Sequence, residues 1–185
     1  MSSTATVAAS RKTSAPGILL STIRALMLGG ATLTTGLVAG VFYAYSVSVA
    51  PGLAAQSDAS YVATMQEINE RIQNPLFFAS FVGAALFLLA AFVIHLPRLR
   101  SRRFLLISLA CLLYIGGGLL LTAFINVPMN EKLATVDPEA PARVLAQARD
   151  AYEAPWNFWN GIRTIFSTLS FIALIGACLL APGRR

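Results

Sequence analysis

The sequence predicts an all-α integral membrane protein, a four-helix bundle with amphipathic helices in its two outward-facing loops. Three observations carry this reading. Hydrophobic residues make up 56% of the 185-residue chain and charged residues only 12%, about half of the roughly 25% found in soluble domains. Four apolar runs reach the roughly 20 residues needed to cross a bilayer. The charges, finally, segregate between alternate connections. Cys111 and Cys178 each lie within an apolar run, which reads as two membrane thiols rather than a disulfide framework.

Residues 1–17 are rich in Ser, Thr and Ala and read as a disordered cytoplasmic tail. The apolar run that follows is longer than the roughly 7–15 residues of a signal core, so it is expected to remain as a first span. The membrane domain then covers 18–182, with spans at about 25–49, 76–96, 104–127 and 156–180, and 183–185 form a basic cytoplasmic end.

In the first span Gly29, Thr32, Gly36, Gly40 and Tyr43 recur at spacings of three and four, a small-residue stripe suited to close helix packing. Tyr43, Tyr45, Ser46 and Ser48 make its far end polar, and Pro51-Gly52 is expected to stop it. Between Ser57 and Gln73 the apolar residues Tyr61, Val62, Met65, Ile68 and Ile72 fall at helical spacing among Glu67, Glu70 and Arg71, which predicts an amphipathic helix. Asn69 sits beside its stripe, and Asn74-Pro75 ends it.

The second span closes at His95, a lone histidine with no Cys, His or carboxylate at ligand spacing. It reads as structural or interfacial, and no metal site is expected. In the third span Tyr114, Gly118, Thr122 and Asn126 are each four apart and share a face. Gly116-Gly117-Gly118 permits close approach and weakens the helix, while Pro128 disrupts the backbone pattern and frees carbonyls before it. Asp137-Pro138 reads as the start of a second amphipathic helix carrying Val144, Leu145, Ala148 and Tyr152. The fourth span opens with Trp156-Asn157-Phe158-Trp159-Asn160 and carries Arg163 about one turn deeper.

Four spans place both termini on one side. That side holds Arg11, Lys12, Arg24, the four arginines of 98–103 and Arg184-Arg185, with no acid. All eight acids and the other five basic residues fall on the opposite side. The positive-inside rule puts the termini in the cytoplasm of a plasma-membrane protein, with the longer loops outward. This arrangement accounts for the net charge of +6 without a nucleic-acid partner. The expected partner is the lipid bilayer, and oligomeric state is left open.

The same map brings Tyr43, Tyr45, Ser46, Asn69, Asn74, Asn126, Asn130, Asn157, Asn160 and Arg163 to the outward end of the bundle. Amides are costly in hydrocarbon unless paired. Two arrangements satisfy them: a hydrogen-bonded clasp that locks the helices, or a pocket lined by amides, phenols and one guanidinium. Trp156 and Trp159 fit either an interfacial belt or the wall of that pocket.

Gly40-Val-Phe-Tyr43-Ala-Tyr45-Ser46, Pro51-Gly52, Asn74-Pro75, Asn126-Val-Pro-Met-Asn130 and Trp156-Asn157-x-Trp159-Asn160-x-x-Arg163 resemble the anthrone oxygenase-like family of small four-span membrane proteins. The resemblance covers nearly the whole chain after the tail. It implies oxidation of an anthrone-type aromatic to a quinone, an activity that spacing alone does not show. Such a methylene, once deprotonated, reacts with dioxygen without a cofactor, and none is expected here. Donors that stabilise the enolate would be Asn126, Asn130, Asn157, Asn160 and Arg163. Tyr43, Tyr45, Asn69, Asn74, Trp156 and Trp159 would bind the apolar aromatic small molecule. Glu67 and Glu131 are the nearest carboxylates. The competing expectation is a non-catalytic membrane protein, either partner-binding or an envelope component. A transporter subunit fits less well, because no internal repeat or charged midplane is apparent.

Overall fold

The computed structural model describes residues 15–180; the proposed tail, except for 15–17, and the basic C-terminal end lie outside them. The described residues form helices and no strand. Four helices are long and apolar enough to cross a membrane: α1 (Ala15–Ala54), α3 (Pro75–Arg98), α4 (Arg102–Ala134) and α5 (Ala142–Leu179). Between α1 and α3 lies α2 (Asp58–Arg71), the amphipathic helix of the loop that joins the first two spans. Ser57 caps it by accepting from the Ser60 amide, and Asn74 caps α3 by accepting from Phe77.

Helix α1 packs on α3 and α5, and α4 packs on α5. Their shared core is small and aliphatic at Ala31, Val38, Ala84, Leu88, Ala110, Leu174 and Ala177. Large apolar residues such as Leu33, Leu86, Leu112, Phe124, Ile172 and Leu179 remain exposed around the outside. A surface that apolar is a liability in water and a match for acyl chains. This is a multi-pass membrane bundle.

The helices outrun the bilayer. At 1.5 Å per residue the 40 residues of α1 span about 60 Å and the 38 of α5 about 57 Å, against a hydrocarbon core of roughly 30 Å. Their outer turns join α2 and the end of α4 in a second core built on Tyr45, Leu53, Tyr61, Met65, Leu133, Leu145, Tyr152 and Trp156. Arg149 pins this cap. It donates to the carbonyls of Gln56 and Ala54, pairs with Asp58 (3.1 Å) and Glu153 (2.6 Å), and lies over the Tyr61 ring.

Pro51 departs from expectation, while Pro128 disrupts the regular helical pattern as expected. Pro51 does not stop α1, which runs on to Ala54, and Pro128 lies within the continuous α4. Each is preceded by a π-helical segment, Tyr45–Val49 and Thr122–Asn126. A proline withholds one N–H from the preceding turn, and a local π adjustment re-satisfies the freed carbonyls. A third π segment, Leu113–Leu120, contains the three glycines. The second amphipathic stretch starts after Pro141 rather than at Asp137-Pro138, and it continues through Pro155 into the fourth span as one helix.

At the opposite end, Arg24 donates to the Ile94 carbonyl and Arg103 to those of Ala177 and Leu180. These bonds gather the start of α1, the 98–103 loop and the end of α5 at one basic end.

Candidate functional site

Arg163 is the centre of the half of the bundle that carries α2. It is 5% exposed, and no carboxylate among the described residues pairs with it. Its Nη2 donates to Asn160 Oδ1 (2.8 Å) and its Nη1 to Thr122 Oγ1 (3.2 Å). The guanidinium carbon stands 4.4 Å from the Phe42 ring centroid and 5.1 Å from that of Trp156. Cation–π contacts and two neutral acceptors partly replace the water that burial removes. Nε has no hydrogen-bond partner among the described residues.

Asn160 links this centre to α1. Its Nδ2 donates to the Phe42 carbonyl (3.2 Å) and to Ser46 Oγ (2.9 Å). Ser46 lies in one π segment, and Thr122 and Asn126 bound another. Such segments are common where helices present functional groups. Asn126 is 1% exposed, and neither its amide nitrogen nor its oxygen has a hydrogen-bond partner among the described residues. Leaving such groups unpaired costs about 1–3 kcal/mol each, so this is a place with unspent hydrogen-bonding capacity.

A second network lies one layer outward. Asn130 Oδ1 accepts from Trp156 Nε1 (2.7 Å) and from the Tyr152 hydroxyl (2.8 Å), and that hydroxyl accepts from Asn69 Nδ2 (3.2 Å). The Tyr45 ring packs on Trp156, with centroids 4.5 Å apart, and its hydroxyl donates to Met65 Sδ.

Between these networks lies a cavity of about 580 Å³ reached by all five helices, large enough for a ligand of several fused rings. Its polar wall includes Asn69, Thr122, Asn130, Asn160 and Arg163; its apolar wall includes Phe42, Tyr45, Phe77, Phe81 and Trp156. Glu70 and Glu131 stand at its exposed margin.

Of the residues expected at the site, Tyr45, Asn69, Asn130, Trp156, Asn160 and Arg163 line this cavity. Asn126, between Thr122 and Asn130 on α4, is buried but does not line the cavity. Tyr43 is 58% exposed and does not line it. Trp159 is half-buried, edge-on to the exposed Phe158. Asn157 does not line the cavity, and its enclosed Oδ1 is unpartnered. Asn74 is a helix cap, bonded to the Phe77 amide and the Arg71 carbonyl. Glu67 pairs with Arg71 on the surface. Phe42, Thr122 and Tyr152 belong to the site without having been singled out for it. Thr122 had a signal, its four-residue register with Asn126. Tyr152 had none, being an apolar-stripe position in what reads as a loop helix. Among the described residues no three His, Cys, Asp or Glu side chains gather in a metal-binding group.

The fold and site therefore define a class: a four-span membrane protein with a polar, arginine-centred chamber near one end. The family model described as anthrone oxygenase matches residues 64–173, more than half of the chain, and the protein belongs to that family. No curated protein and no solved structure matches it.

Proposed function

We propose that this chain is a cofactor-independent oxygenase of an apolar aromatic or phenolic substrate, held in the chamber around Arg163. One observation supports this most directly: a buried guanidinium in the cavity wall, with no carboxylate partner and an unpaired Nε among the described residues. Such a site favours an anionic oxygen over a neutral one. Membership of the anthrone oxygenase family gives the same direction.

The chemistry balances without further reactants. A base removes one proton from an anthrone methylene, and the charge spreads to the carbonyl oxygen facing Arg163 and Asn160. The carbanion passes one electron to dioxygen, and the resulting pair closes a C–O bond. Protonation gives a hydroperoxide. Loss of the second C–H proton with O–O cleavage yields the quinone carbonyl and water. We assign the first proton to Glu131, which stands with Glu70 at the chamber margin. Both termini are assigned to the cytoplasm of the plasma membrane, so the chamber serves the outer leaflet.

A non-catalytic clasp has one observation in its favour: Asn130 and Asn160 already bond to protein partners. Dioxygen consumption by the purified protein separates the readings, run against a panel of anthrones and hydroquinones with metal analysis of the same sample. The oxygenase requires one dioxygen per anthrone and loss of turnover in Arg163→Gln. A folded protein that consumes none is a clasp.

A further inference from the structure

The cavity reaches the exterior along two margins of opposite chemistry. One is edged by Glu70, Gln73 and Glu131, all exposed. The other lies between α3 and α4. Helix α3 packs against Arg102–Leu120 of α4, but the outer half of α4 packs on α5 and α2 instead. Where the two helices part, the exposed Phe78 of α3 and the exposed Val127 of α4 both line the cavity. Neither Phe78 nor Val127 is charged, and Glu131 of the acidic margin stands one turn beyond Val127 on α4.

From this gap a run of rings leads inward. Phe78 and Phe77 have centroids 5.9 Å apart, Phe77 stacks on Phe81 at 5.2 Å, and Phe81 meets Phe42 at 6.4 Å. Phe42 carries the Arg163 guanidinium on its face at 4.4 Å. Interplanar angles of 13° for Phe77–Phe81 and 72° for Phe42–Phe81 offer a planar aromatic first a parallel face and then an edge.

We propose that the gap between Phe78 and Val127 is a lateral portal, through which a planar aromatic dissolved in the bilayer slides along these phenylalanines to Arg163. The portal rests on reading the cavity as a ligand site, but not on turnover. An apolar ligand concentrated in acyl chains enters here without first passing into water. The acidic margin admits water and small polar species.

The test is binding kinetics with a non-reactive hydroxyanthraquinone delivered from phosphatidylcholine vesicles to the reconstituted protein, read as quenching of tryptophan emission. A residue that only gates access changes association and dissociation together and leaves Kd unchanged. Val127→Phe should slow both rates by the same factor, on the order of tenfold, and Phe78→Ala should speed both. Glu70→Gln should alter neither. The portal is overturned if both gap variants keep wild-type rates, if Glu70→Gln sets the rate instead, or if the wild-type protein takes up no probe. Normal gating without dioxygen consumption would remove the oxygenase reading alone. Normal turnover without gating would remove the portal alone.

Discussion

Arg163 Nη2 lies 2.8 Å from the Oδ1 of Asn160, three residues earlier on the same helix, and Asn160 holds α1 through Ser46 at 2.9 Å. One asparagine thus orients the buried cation and ties two spans together. The two roles separate by substitution. Arg163→Met removes the cost of a buried charge that has no carboxylate partner among the described residues, which offsets the donor that Asn160 Oδ1 loses. Turnover should fall by about 10²–10³, the scale of losing one oxyanion donor, while thermal stability in detergent holds or rises. Asn160→Ala should lose turnover and also about 1–3 kcal/mol of stability, because Arg163 and Ser46 lose a partner. Parallel melting and oxygen-electrode measurements read both; a stability loss in Arg163→Met would make the arginine a structural residue.

At Gly117 the α4 backbone packs directly against Phe166 of α5. A Cβ there would stand 2.2 Å from Phe166 Cγ, and an atom that near the backbone of Phe166 cannot swing aside. Gly117→Ala should cost about 1–3 kcal/mol by overpacking. Phe166→Ala in the same chain should recover part of that loss. A Gly117→Ala protein that melts like the wild type would show that the contact yields.

Arg149 holds the cap through two backbone carbonyls, two carboxylates and the Tyr61 ring. Arg149→Ala should destabilise by about 2 kcal/mol, the scale of losing hydrogen bonds to a charged group. Hydrogen exchange should accelerate in Asp58–Arg71 before it does in the spans. Uniform acceleration across the bundle would argue against a separate cap.

Tyr61 supplies a pH signature. Burial raises its phenol well above the ordinary tyrosine range; Tyr45 and Glu153 push the same way, and Arg149 opposes. The unfolded phenol titrates near 10. Above that pH the unfolded chain binds fewer protons than the folded one, so stability falls as pH rises. The contribution is complete below about pH 10 and is lost progressively above it. Tyr61→Phe should flatten the alkaline limb of the melting curve at no cost near neutrality, since the Tyr61 hydroxyl has no partner among the described residues.

Orientation is read by thiol labelling on a background carrying Cys111→Ala and Cys178→Ala. Leu99→Cys, in the exposed arginine-rich loop, should react with an impermeant maleimide only after permeabilisation. Thr135→Cys, at the opposite end, should react on intact cells. The reverse pattern would invert the topology.

Much of this was legible in the residues. Span number, the polarity of the outer ends and the gathering of acids at one end depend on sums over windows of about 20 residues, and no tertiary contact is needed to form them. Individual partners were harder to read. The stripe Gly29, Gly36, Gly40, Tyr43 looked like the packing face of α1, yet the buried face is Leu28, Ala31, Thr35, Val38, Phe42 and Tyr45. Phe171 covers Gly36, while Gly29 and Gly40 meet nothing. A stripe displaced by one residue lies about 100° around the helix, enough to move Tyr43 out of the chamber and Phe42 into it.

By itself, then, the sequence determined a four-span bundle with amides and one arginine gathered toward one end, because hydropathy and charge act locally and add. Only the tertiary structure decided which amides meet: Asn160 with Arg163, Asn130 with Tyr152 and Trp156, and Asn126 with no partner among the described residues. Those pairings depend on the angle of each side chain around its helix and on the heights of neighbouring helices. The π segments before Pro51 and Pro128 reset both, and no periodic count along the chain registers them.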